Sequence, residues 1–275
     1  MDSVREGIRS LSEFESFALA LGATMPRTLG LFVMVPIFHA ELLPTMLRLG
    51  VAAVLGLVVA PTLVPAIEAL HLQPLDPLAL VMLVAKEVFV GFVMGALLAI
   101  PFLAFEALGF LIDNQRGASM AATLNPMTGH DSSPLGIAFN FAFITFFLLG
   151  GGIHLFLGLI YDSYRLWSPL EFWPSIGPEA AALLMVQLNR LVMLALLLAA
   201  PVMIAMLMSE LGLALVSRFA PQLQVFFLAM PIKSALALFV LVIYSSTLFD
   251  YSLAPIRELA TWVDRLDPLL RLGGR

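Results

Sequence analysis

The chain has 275 residues, 61% of them hydrophobic and 12% charged, and its mean hydropathy is +1.00. Soluble domains carry roughly 25% charged residues and at most about half apolar ones, so this composition excludes an ordinary soluble fold and marks an integral membrane protein. Cysteine is absent, which rules out a disulfide framework or a thiolate metal site, and the net charge of -5 is spread too thinly to leave a basic stripe for nucleic acid.

Residues 1–16 carry Asp2, Glu6, Glu13 and Glu15 against Arg5 and Arg9. This acidic head lacks a short apolar core with a small-residue cleavage site, so no cleavable signal is expected. Six apolar runs follow: Phe17 to Phe38, Leu42 to Ile67, Leu78 to Ile112, Ile137 to Tyr161, Ala180 to Phe219, and Val225 to Leu253. All are expected to be helices, because lipid requires each backbone polar group to be satisfied within its own segment. The fold class is therefore all-α membrane protein. A bilayer needs about 20 helical residues per crossing, and the third and fifth runs greatly exceed that. Each has a proline near its middle, Pro101 and Pro201, so each is expected to be a bent helix or a tight hairpin.

Polar residues intrude on these runs: Arg27 in the first, Lys86, Glu87 and Glu106 in the third, Arg190 and Glu210 in the fifth. Pro231-Ile232-Lys233 is expected to break the sixth. Such charges face a bundle interior or water rather than lipid. Their number suits helices that are apolar because they pack on other subunits. Lys233 reads as one half of a pair rather than a relay, since a single lysine makes no pathway. Small residues recur at four-residue spacing in Ala52, Gly56, Ala60 and in Gly91, Gly95, Ala99, which allows close helix packing within the chain or between subunits. Gly150-Gly151-Gly152 marks a flex point in the fourth run. Arginines gather in the head and in the tail (Arg257, Arg265, Arg271, Arg275), which places both ends in the cytoplasm for six spans. The tail spacing of Leu259, Val263, Leu266 and Leu270, interrupted by Pro268, fits either a surface helix or a docking helix for a cytoplasmic partner.

The segment between Ile112 and Ile137 stands apart. It reads Asp113-Asn114-Gln115-Arg116-Gly117, then small residues with Met120, then Asn125-Pro126-Met127, Gly129 and Asp131-Ser132-Ser133-Pro134-Leu135-Gly136. A polar, Gly/Pro-punctuated loop between two apolar helices is a functional candidate. Asp113 and Arg116 are one turn apart; they form either an ion pair ending the third helix or a lining that closes a passage. No catalytic signature is present. His39, His71, His130 and His154 are far apart, Ser119 lacks a nucleophile-elbow pattern, and no phosphate- or dinucleotide-binding glycine motif occurs. No enzyme activity, cofactor or metal is expected.

Two stretches carry a resemblance: Glu106-Ala-Leu-Gly109-Phe-Leu-Ile-Asp113-Asn-Gln-Arg116-Gly117 with the later Asn125-Pro126 and Ser132-Ser133-Pro134-Leu135-Gly136, and Ala220-Pro221-Gln222-Leu223-Gln224-Val225-Phe226-Phe227-Leu228-Ala229-Met230-Pro231-Ile232-Lys233-Ser234. They resemble the type III secretion T subunits, the FliR/SctT family, on its injectisome side. The resemblance implies an export apparatus in the bacterial inner membrane, much of it raised toward the periplasm. One T subunit there joins five R-like and several S-like subunits in a helical assembly, with a U-like switch subunit on the cytoplasmic side. It further implies a single export-apparatus domain, R-like over about residues 17–179 and S-like over about 180–253, followed by a cytoplasmic tail from 254 to 275. The loop from Asp113 to Pro134 would lie in the pore as a plug against ion leakage, and unfolded effector polypeptides would pass when it moves. Met120 and Met127 would offer soft contacts at a constriction. The rival reading is a transporter of ions or small solutes that uses Lys86, Glu87, Glu210 and Lys233 on broken helices.

Overall fold

A computed structural model describes residues 2–39, 42–69, 77–118, 133–171, 178–220 and 225–260. These form seven α-helices: α1 (Asp2–Met34), α2 (Thr45–Ala69), α3 (Pro77–Arg116), α4 (Pro134–Leu149), α5 (Gly152–Leu166), α6 (Pro178–Phe219) and α7 (Val225–Ala260). A 3-10 turn at Pro36–Phe38 follows α1, and no strand occurs among the described residues. Among the described residues, five segments are long and apolar enough to cross a membrane: Phe14–Met34, Thr45–Ala69, Leu78–Arg116, Met185–Phe219 and Leu228–Leu248. The pair α4 and α5 meets the same test only when taken together across a break. The chain is an all-α membrane protein.

Several expected boundaries move. The hairpin alternative fails at Pro101 and Pro201, because both lie inside continuous helices, α3 and α6. Nor does Pro231 end anything; α7 passes through it. One missing N–H costs a helix less, in apolar surroundings, than the eight unsatisfied groups of two new ends. The fourth run, by contrast, does divide. Gly150 N donates to Phe146 O, and Gly151 takes a φ of +78°, a left-handed conformation that ends α4 before α5 begins.

The described residues divide into two compact units. The first comprises residues up to Ala99 together with 154–181. Its core sets Ala20 of α1 against Val59, Ala60, Leu63 and Ile67 of α2, with Phe17, Tyr161 and Tyr164 packed around them. Phe32 stacks on Phe38 with ring centroids 3.9 Å apart, and Phe38 meets Phe156 of α5 at 5.1 Å. The small-residue spacings serve packing within this unit. A Cβ on Gly91 would strike the carbonyl of Arg27, one on Gly95 would lie 2.6 Å from Leu31 O, and one on Gly30 would strike Val88 O. Here α1 and α3 touch backbone to backbone, which only glycine allows.

The second unit comprises residues 100–153 and 182 onward. Phe102 of α3 meets Phe143 and Phe147 of α4 edge-on at 4.8 and 5.1 Å, and Phe105 stacks on Phe143 at 4.6 Å. Much apolar surface in this unit stays bare. Only 28% of the most apolar window of Met185–Phe219 is buried, and 6% of that of Leu228–Leu248.

Candidate functional site

Two polar centres lie on α3, one in each unit. The first gathers about Glu87, which is 0% exposed. The Arg27 guanidinium donates in a fork, Nε to Glu87 Oε2 at 2.7 Å and Nη2 to Oε1 at 3.0 Å. Its remaining protons go to the end of α5, with Nη1 to Ser163 O at 2.8 Å and Nη2 to Trp167 O at 2.9 Å. Lys86 Nζ lies 2.9 Å from Glu87 Oε1 and donates to Pro169 O and Glu171 O, each at 2.7 Å. Tyr164 lies beneath the guanidinium, 4.3 Å from Cζ to the ring centroid, and its hydroxyl donates to Thr24 O at 2.7 Å. Two cations thus share one carboxylate. The surplus positive charge rests on carbonyls at a helix C-terminus, where the dipole favours a cation. Of the charged groups that intrude on the third run, Glu87 thus pairs with both Lys86 and Arg27, and Arg27 joins α1, α3 and α5.

The second centre forms where α3 ends and α4 begins. The apolar run stops at Ile112, yet α3 continues through Arg116. It closes as a Schellman motif, in which Gly117 N donates to Asn114 O at 3.2 Å, Ala118 N donates to Asp113 O at 3.0 Å, and Gly117 takes a φ of +84°. Asp113 through Arg116 are thus the last helical turn rather than loop. Asp113 is 2% exposed. Its Oδ1 accepts from Arg116 Nε at 2.7 Å. Its Oδ2 accepts from the Ser133 hydroxyl at 2.6 Å and from the Leu135 backbone N–H at 2.9 Å. Ser133 is also the N-cap of α4, accepting from Gly136 N at 2.8 Å, with Pro134 in the first helical position. A carboxylate here meets the positive end of a helix.

The stripe continues one turn at a time. Gly109 opposes Gly136, and a Cβ on Gly109 would strike the backbone of Leu135 and Gly136. Next, Asn140 Nδ2 donates to Glu106 Oε2 at 3.2 Å. Glu106, Gly109 and Asp113 on α3 thus match Asn140, Gly136 and Ser133 on α4 in antiparallel order. The same turn of α3 reaches the last two helices. Gln115 Nε2 lies 3.4 Å from Met203 O of α6, and a Cβ on Gly117 would sit 3.6 Å from Met230 of α7. The two stretches singled out in the sequence, around Asp113 and around Pro231, therefore meet. Lys233 Nζ pairs with Glu210 Oε2 at 2.8 Å and joins α7 to α6.

Of the remaining expected site residues, Asn114 is exposed on α3, whereas Met120, Asn125, Pro126 and Met127 lie outside the described residues, as does the tail from 261. Sequence reasoning missed Ser133 as the partner of Asp113, Asn140 as the partner of Glu106, and the carbonyl cradle at Ser163–Glu171. The Ser-Pro start of α4 was a usable signal for the first of these, since a serine before proline marks an N-cap that an upstream acid can reach. Among the described residues no group of three or more His, Asp or Glu side chains is arranged to hold a metal ion.

Comparison with known proteins places this architecture. The family model for bacterial export proteins, family 1, matches residues 18–259. The Yop proteins translocation protein T of Yersinia pestis is 39% identical over 231 residues, 83% of this chain and 86% of the relative. The surface presentation of antigens protein SpaR of Salmonella typhimurium is 36% identical over 63% of this chain and 64% of its own length. The flagellar biosynthetic protein FliR of Bacillus subtilis is 29% identical over 79% and 83%. The match takes in α2 to α6 whole, both polar centres, the C-terminal half of α1 and nearly all of α7, and the chain belongs to the bacterial export proteins, family 1.

Proposed function

We propose that this chain is a structural and gating subunit of a type III protein-export channel in the bacterial inner membrane. Unfolded effector polypeptides would pass beside it, and residues 119–132, including Met120, Asn125, Pro126 and Met127, would obstruct the closed conduit. The single observation that carries the gating role is the stem of that segment. Asp113 ties the end of α3 to the start of α4 through Ser133 and Leu135, so a hydrophilic insert emerges from a fixed base between two apolar helices. A movable obstruction at a narrow pore gates without chemistry, so no catalytic group is required.

Bare apolar faces on α6 and α7 support assembly with sister subunits. The partners in this reading are five R-like and several S-like subunits, with a U-like subunit at the cytoplasmic side. The assembly would be raised toward the periplasm. Residues 17–179 would be the R-like part and 180–253 the S-like hairpin, whose two helices the Lys233–Glu210 pair joins. The tail from 254 would face the cytoplasm. The pairing of Lys86 with Glu87 and of Lys233 with Glu210 favours structural roles for these charges over a transport pathway.

Deleting residues 119–130 leaves Gly117 and Ala118 to close α3 and Ser133 to cap α4. The expected outcome is an assembled complex with raised ion conductance. Unchanged conductance in cells making the shortened protein would remove the plug role. Purification tests the rest, since this chain should co-purify with R-like and S-like subunits rather than alone.

A further inference from the structure

We infer that the α3–α4 joint is a fixed anchor, with Asp113 as its positioning residue: the two helix ends stay together in every state of the channel. This deepens the gating reading and rests on it for its meaning in export. The geometry itself involves only residues 106–118 and 133–140.

Three layers hold the joint. At the top, one carboxylate accepts three hydrogen bonds, from Arg116 Nε at 2.7 Å, the Ser133 hydroxyl at 2.6 Å and Leu135 N at 2.9 Å. Ser133 is a relay, donating to Asp113 while accepting from Gly136 N, so the carboxylate also fixes the cap of α4. In the middle, Gly109 and Gly136 bring the two backbones together with no room for a Cβ. At the bottom, Asn140 donates to Glu106. An arrangement of this kind resists parting. Separation would strand a buried carboxylate, open a helix N-terminus and lose a backbone contact in one step. The left-handed Gly117, closing α3 and seated against Met230, is the first backbone position on the α3 side where direction can change.

The charge, rather than the shape, of Asp113 carries the prediction. Asparagine is nearly isosteric, yet its amide cannot accept at both of its terminal atoms. A weakened top layer lets the two ends drift apart. The chain has no cysteine, so introduced thiols report alone. The test places Glu106→Cys and Asn140→Cys together in the assembled export complex in membranes and joins them with a short bis-thiol crosslinker. The expected result is efficient crosslinking both at rest and during secretion, with secretion retained after crosslinking. Adding Asp113→Asn should slow crosslinking about tenfold, the population shift that loss of charge-assisted hydrogen bonds produces. Ser133→Ala should slow it less, and Ser133→Thr, which keeps the hydroxyl, should restore the rate.

Secretion that stops on crosslinking would overturn the inference, because the joint would then have to open. So would an unchanged crosslinking rate in Asp113→Asn. Where Asp113→Asn fails to assemble, Ser133→Ala decides by the same rate criterion. A loop deletion that leaves conductance unchanged strikes the gating reading alone, while the crosslinking rates still report on the anchor.

Discussion

Glu87 and Asp113 lie on one helix and are both buried, yet they are held differently. Glu87 sits at the flank of α3, where α1 crosses backbone to backbone, and it collects two cations, Arg27 and Lys86. Asp113 sits in the last turn of α3 and takes one cation together with the N-terminus of α4. The first arrangement welds helices side to side within a bundle. The second welds ends, the last turn of α3 to the first turn of α4. Burial of charge therefore has two uses in this protein, cohesion of helices side to side in the first unit and joining of helix ends in the second.

The sharpest way to break this contrast is Glu87→Gln. It leaves Arg27, 1% exposed, without a counter-ion, and such a loss costs about 3–5 kcal/mol. The expected outcome is failure of the chain to accumulate in assembled complexes, read by blotting of membrane fractions. Removing both partners as Arg27→Met with Glu87→Met should recover part of the loss, since replacing a buried pair by apolar side chains is often close to neutral. A double variant no better than Glu87→Gln would show that the carbonyl cradle at Ser163 and Trp167 matters more than the pair.

Next come the glycine contacts beside each centre. Gly91→Ala drives a Cβ into Arg27 O, and Gly109→Ala drives one into Gly136. Each should cost about 1–3 kcal/mol as the helices are forced apart. At Gly50 of α2 an added methyl would meet nothing within 4 Å, so Gly50→Ala should leave the melting temperature of the solubilised complex unchanged or slightly raised. Equal melting temperatures for all three variants would remove the argument for backbone contact. The smallest loss among the packed or capping glycines is expected at Gly117. Its φ of +84° makes Gly117→Ala cost roughly 1 kcal/mol, and Gly117→Asn less, because asparagine tolerates the left-handed region. Ion conductance should rise more for Gly117→Ala than for Gly117→Asn; the reverse order would mean that the cap geometry does not set the stem.

Much of this was legible in advance. Lipid-compatible runs had to be helical, and the glycine triplet marked the point where one of them is interrupted. Pro231 misled, since it lies within a continuous helix, and at Pro101 and Pro201 the hairpin alternative fails while a helix running through the proline stands. Local preference assigned a break at Pro231, whereas an apolar environment penalises free helix ends more than one missing bond. The end of α3 was placed early for a related reason. Apolar character stops at Ile112, but Asn114 O and Asp113 O still find donors in Gly117 and Ala118.

The sequence by itself determined the solvent, the helical character of the apolar runs and the two motifs that mark the family, because composition and short-range spacing decide those. Only the tertiary structure decided which charges meet. Arg27 finds Glu87 across 60 residues, and Ser133 finds Asp113 across the insert, because a buried ion takes whatever opposite charge or helix end the packing of backbones brings within about 3 Å, and no local pattern encodes that distance.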